Sequence, residues 1–202
     1  MSKVTVSRKI ILMADGDTDY LFAAEVLCHD PEVHGIQIQL LRPEDVSLRR
    51  RTGGGHITLL REIGLAAIRA AQGYADGVLV LVDNDGDDRF KFPHDRRCDD
   101  CRECDAWAAL ERVSWGQPFR RGATILYQAV ETLVLSARNY FTPQIEENLF
   151  SSALRKELYK RDIVDIRERY RAFESELEGI QLAKIKARSY PRFKRSLLDI
   201  AT

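Results

Sequence analysis

Two runs of aliphatic residues, each ending in a cluster of aspartates, constrain this chain more than any other feature. Ile10-Ile11-Leu12-Met13-Ala14 leads into Asp15-Gly16-Asp17-Thr18-Asp19, and Val78-Leu79-Val80-Leu81-Val82 leads into Asp83-Asn84-Asp85-Gly86-Asp87. An unbroken aliphatic run of this length reads as a strand buried on both faces, as in a parallel sheet covered by helices. Ligands of open α/β sheets collect beyond the carboxyl ends of such strands. Both clusters occupy that position, so carboxylates far apart in sequence can meet at one edge. Crowded carboxylates repel unless a cation neutralises them, and hard oxygen donors favour magnesium or manganese. The pattern predicts a divalent-metal site and, through it, phosphate chemistry.

The spacing between the runs predicts a β-α-β-α-β succession. Strands are expected over 9–14, 35–41 and 78–82. A helix over 17–28 would place Leu21, Phe22, Val26 and Leu27 on one face, and a second over 57–73 would stop at Gly73. Such a succession gives a parallel sheet with right-handed crossovers. A polar insert over 87–105, with three of the four cysteines, comes next. Beyond it the pattern predicts a helix over 106–113, a strand over 124–127 and an apolar helix over 128–137. A charged helical stretch over 151–178 and a basic tail complete the chain. The expected division is a core over 1–142 and a helical, basic C-terminal extension over 143–202.

With 202 residues, 45% of them hydrophobic and 31% charged, the chain can bury a substantial core. No apolar stretch approaches the roughly 18 residues of a membrane span. The basic start is followed by a short apolar run that ends in acid rather than in a cleavage site, so no signal peptide is read and a cytoplasmic location is expected. Net charge is zero, which argues against a general nucleic-acid coat, but the charge is unevenly placed. Acids outnumber bases over 83–105, whereas 184–195 holds six Lys or Arg and no acid. An acidic cleft beside a basic tail suits a metal-dependent enzyme acting on a polyanion; two solvated surfaces of opposite sign are the alternative.

In an extended segment Asp83 and Asp85 share a face while Asn84 points away, and Gly16 permits close backbone approach after the first strand. An acid-Gly-x-x-Asp segment after the first strand and Asp-x-Asp after a later one resemble the TOPRIM fold of topoisomerases, bacterial primases and nucleases of the OLD (overcoming lysogenization defect) type. The likeness extends to small TOPRIM-like proteins related to the OLD nucleases. These carry a Glu-containing helix similar to Ala129-Val130-Glu131-Thr132-Leu133-Val134-Leu135. They also carry a C-terminal segment similar to Ser189-Tyr190-Pro191-Arg192-Phe193. The resemblance spans most of residues 9–199. It implies a TOPRIM-like, Rossmann-like parallel sheet flanked by helices, with Asp83 and Asp85 binding Mg2+ or Mn2+. Asp15 would complete the site, and Asp19 would orient water. The family's first acid is usually glutamate, so Asp15 is one methylene short, and Asp17 is an alternative ligand.

Glu131 on its apolar helix is either a further catalytic or ligating group, or an acid that sits at the wet edge of the helix or pairs with an arginine. Arg188 and Lys186 are candidates for stabilising charge on a phosphate. Cys98-x-x-Cys101-x-x-Cys104, preceded by His94, has spacing suited to structural Zn2+, with free thiols as the alternative. Gly53-Gly54-Gly55-His56 lacks the Lys-Ser/Thr of a Walker motif and reads as a turn. The leading expectation is a metal-dependent nuclease-like protein that cleaves phosphodiester bonds in nucleic acid. By family analogy it would serve in anti-phage or anti-plasmid defence, with a partner ATPase. A catalytically degenerate interaction subunit and a small-molecule phosphohydrolase are the competing expectations.

Overall fold

Strand β3 (Gly77–Asp83) is buried along all its 7 residues, the burial that its continuous aliphatic run requires. It lies at the centre of a sheet with β1 (Arg8–Ala14), β2 (Ile36–Leu40) and β4 (Arg120–Leu126), in the order β2-β1-β3-β4. Every pairing is parallel, with Ala14 opposite Leu81 and Asp83 opposite Leu126. The computed structural model describes residues 8–41, 56–84, 101–113, 119–138 and 151–202. The Gly53–Gly55 turn and most of the polar insert lie outside these residues. Residues 102–105 of that insert form the first turn of a helix.

Strand alternation divides the apolar side chains between two cores. Ile10, Leu12, Leu79 and Leu81 face the first core, and Ile11, Met13, Val78 and Val80 face the second. The second core is closed by α2 (His56–Arg69) and α3 (Arg102–Val113). The first is closed by α1 (Asp17–Glu25), α4 (Val130–Ala137), α5 (Ser151–Tyr159), α6 (Ile166–Leu177) and α7 (Ser189–Ala201). The result is an α/β fold with an all-parallel sheet flanked by helices, compatible with a Rossmann-like arrangement. Among the described residues no helix is long and apolar enough to cross a membrane.

Three elements differ from the expected pattern. Helix α1 does not bury a single face: Asp19, Tyr20, Leu21, Phe22 and Ala23 are all buried in succession. The reason is tertiary, because α1 touches both β1 and α6 and so lies inside the structure. Strand β4 begins at Arg120 rather than near 124, its charged start paired with the first residues of β3. The basic tail is in fact largely the amphipathic helix α7, whose Phe193, Leu197 and Ile200 share the first core with β1 and β3. Burial of each such side chain contributes about 1.5–3 kcal/mol. Pro191 is tolerated because it occupies the first turn, where its missing N–H has no helical acceptor. Ile200 packs so closely on β4 that a Cβ at Gly122 would lie 2.7 Å from its Cδ1. That contact is near the start of β4, so the N-terminal turn of α7 lies at the carboxyl edge of the sheet.

Candidate metal centre

The parallel pairing of β1 with β3 carries Asp15 and Asp83 to the same edge. Ala14 is level with Leu81, so the chain leaves β1 and β3 within two residues of one height. Asp15 follows β1, Asp19 sits in the first turn of α1, and Asp83 is the last residue of β3. Each offers a carboxylate oxygen, and the three oxygens lie within 4.8 Å of one another. Asp15 is half-buried, while Asp19 and Asp83 are 1% and 7% exposed. The expectation of an acidic site assembled from both clusters is met by these residues. Asp19, expected to orient water, supplies one of the three converging oxygens.

Local chemistry fixes this arrangement. A Cβ at Gly16 would lie 2.7 Å from the Asp19 Oδ2, so any larger residue there would displace the carboxylate. Tyr20 secures the end of β1: its hydroxyl accepts from the Ala14 N–H at 2.8 Å and lies 2.8 Å from the Leu41 carbonyl to which it donates. The N-terminal end of α1 favours nearby negative charge, which suits Asp19. Arg102, the first residue of α3, donates from Nη1 to the Asp83 carbonyl at 2.8 Å. One cation is thus built against the acidic cluster. Neither Tyr20 nor Arg102 was foreseen from sequence. Arg102 carries no local signal, since its partner is 19 residues away across a polar stretch.

The remaining candidates are distributed differently. Asp85, His94 and Cys98 lie outside the described residues. Asn84 is buried, and its N–H extends the ladder by donating to the Leu126 carbonyl at 3.0 Å. Glu131 has no place in the three-carboxylate cluster; it is fully buried and accepts from Arg155 Nε at 2.9 Å. The arginine pair expected as one of the readings of Glu131 is present, and it engages Oε1. Burial and the Glu131 charge push the neighbouring Tyr159 hydroxyl well above its usual range. Arg188 holds its guanidinium 5.3 Å from the centroid of Tyr127, the residue after β4. The Lys186 N–H donates to Ser136 Oγ at 3.1 Å. Cys101 is buried and its sulfur accepts from the Cys104 N–H at 3.4 Å, so this thiol acts at the start of α3 as a cap.

No family model, curated protein or solved structure matches this chain.

The donor set decides what the cluster can hold. Three carboxylates within 4.8 Å are hard anionic donors, unlike the thiolate and imidazole sets preferred by zinc or copper. At that separation each pair repels by about 3 kcal/mol at an effective dielectric near 20. A cation bound among them removes this cost. The residues therefore fit a divalent ion with oxygen preference.

Proposed function

We propose that this protein is a Mg2+- or Mn2+-dependent, TOPRIM-like phosphodiesterase acting on nucleic acid. The observation that carries the reading is the convergence of Asp15, Asp19 and Asp83 at the carboxyl edge of an all-parallel sheet. The resemblance of Asp15-Gly16-x-x-Asp19 and Asp83-x-Asp85 to TOPRIM motifs supports it. Asp15, Asp19 and Asp83 would hold the ion, with Asp85 as a further donor. A divalent ion in such a site supplies Lewis acidity and activation of water.

The chain's own residues account for the rest. Tyr20 and Gly16 keep the β1 turn in place for Asp15 and Asp19, and Arg102 secures the backbone of Asp83. Arg188, stacked over Tyr127 beside the carboxyl end of β4, would meet the negative charge of a phosphate. Glu131 is a charge partner of Arg155 in this reading and plays no part in proton transfer.

The test is a cleavage assay with Mn2+ on single- and double-stranded DNA and RNA, with Asp83→Ala as control. Metal-dependent strand cleavage lost in Asp83→Ala is the expected result. Turnover of mononucleotides alone, or metal binding without any turnover, would contradict it.

A further inference from the structure

Helices α3 and α7 pack on opposite faces of the sheet, yet one buried ion pair joins their first turns. Arg192 Nη2 lies 2.7 Å from both carboxylate oxygens of Glu103. The Glu103 side chain is 1% exposed and that of Arg192 22%. Ala106 and Leu110 of α3 belong to the second core, whereas Phe193, Leu197 and Ile200 of α7 belong to the first. Both helices also pack on β4, so the pair is a direct side-chain tie between two turns that the sheet already brings near each other. A buried carboxylate is costly to desolvate, so such a pair is weak evidence for stability and better evidence for a fixed geometry.

What the pair fixes lies at the acidic edge. Arg102, the neighbour of Glu103, holds the Asp83 carbonyl. Arg188 is four residues before Arg192, so both project from one side of the α7 N-terminus. Anchoring Arg192 adds to the buried Phe193, Leu197 and Ile200 in holding the rotation of the turn that follows Arg188. Arg188 rests over Tyr127, next in sequence to Leu126, which is paired with Asp83. A stacked guanidinium carries its N–H donors around its rim, the geometry that suits phosphate oxygens.

We propose that Glu103 and Arg192 are positioning residues: their buried pair ties α7 to the turn that holds Asp83 and directs Arg188 at a phosphate of a nucleic-acid strand. This rests on the nucleic-acid reading above. It adds a specific consequence: residues 103 and 188, linked through Arg192 of α7, are energetically coupled in strand binding.

The experiment uses the full chain with fluorescein-labelled oligothymidylate, calcium in place of magnesium, and a salt titration of the affinity. Wild type, Glu103→Gln, Arg188→Gln and the double variant form a cycle. Arg188→Gln should lower the slope of log affinity against log salt by about 0.7, the loss of one single-strand phosphate contact. Glu103→Gln should lower it by a similar amount, and adding Arg188→Gln should then cost nothing more. Mn2+ binding should be unchanged in Arg188→Gln, which leaves the turn that holds Asp83 untouched. If Glu103→Gln does not fold, Arg192→Lys supplies the cycle, because it keeps the charge but loses the planar fork. An Arg188→Gln loss of equal size in both backgrounds would overturn the positioning role alone. Absence of strand binding by wild type, with Mn2+ bound normally, would overturn the nucleic-acid reading and this inference together.

Discussion

Asp83→Asn provides the most informative single perturbation, because it keeps shape and removes one charge from the cluster. Asp83 takes part in two of the three carboxylate pairs, each worth about 3 kcal/mol of repulsion at an effective dielectric near 20. The exposure of Asp15, the α1 N-terminus and the Arg102 guanidinium all reduce that figure. A net gain of about 1–2 kcal/mol in metal-free stability is expected once these are discounted. For a chain of this size that raises the melting temperature by roughly 2–8 °C. Magnesium reverses the order. At about a hundredfold excess over its dissociation constant it should stabilise the wild type by about 2.7 kcal/mol and leave Asp83→Asn unchanged. The assay is thermal denaturation in chelator and in magnesium. A metal-free melting temperature of Asp83→Asn well below wild type would show instead that the carboxylate is held by structural bonds rather than strained by repulsion.

Asp15→Glu should bind Mn2+ at least as well as wild type, while Asp15→Ala weakens binding about tenfold or more. Equal loss in both would remove Asp15 from the ligand set and make Asp17 the candidate. Tyr190→Phe removes the 2.7 Å bond from the Tyr190 hydroxyl to Asp30 and should cost about 1.5–3 kcal/mol at neutral pH. Burial alone would raise the Asp30 pKa, but the Tyr190 hydroxyl, the Glu32 amide and Lys194 together hold it below the usual carboxylate range. A depressed carboxyl stabilises above its unfolded pKa, and this is lost as pH falls through the folded value. The Tyr190→Phe penalty, read by urea denaturation, should therefore be flat from about pH 5 to about pH 8 and shrink as pH falls through the depressed pKa of Asp30. A penalty that persists in acid would assign it to packing. If His94, Cys98, Cys101 and Cys104 hold zinc, elemental analysis will find about one zinc per chain, lost in Cys101→Ser. Zinc well below that, with freely titrating thiols, would leave Cys101 as a buried cap residue.

The elements most legible in the sequence were those whose local pattern and tertiary surroundings agree. Strand β3 was plain because a doubly covered parallel strand is aliphatic throughout, and Asp83 at its end was found by the same reasoning. Strand β4 was recognised only in part, since Arg120, Arg121 and Gly122 have weak strand preference and are placed by pairing with β3. Helix α7 was hidden by its basic residues, which masked the spacing of Phe193, Leu197 and Ile200. Asp19 and Asp83 announced themselves by position after strands. Arg102, Glu103 and Arg192 did not, because side chains in α3 and α7 acquire partners only after the helices are placed on the sheet. Glu131 shows the limit from the other side. Its buried charge was conspicuous in the sequence, but the arginine beside it was not, because Arg155 is brought there by the packing of α5.

In the proposed function Asp15, Asp19 and Asp83 together hold one divalent ion. Titration of the full chain with Mn2+, followed by electron paramagnetic resonance of the free ion, tests it directly. One tightly bound Mn2+ per chain is expected, displaced by Mg2+ and lost in both Asp19→Asn and Asp83→Asn while each variant remains folded. Undiminished binding in those two variants, or no saturable binding in wild type, would contradict it.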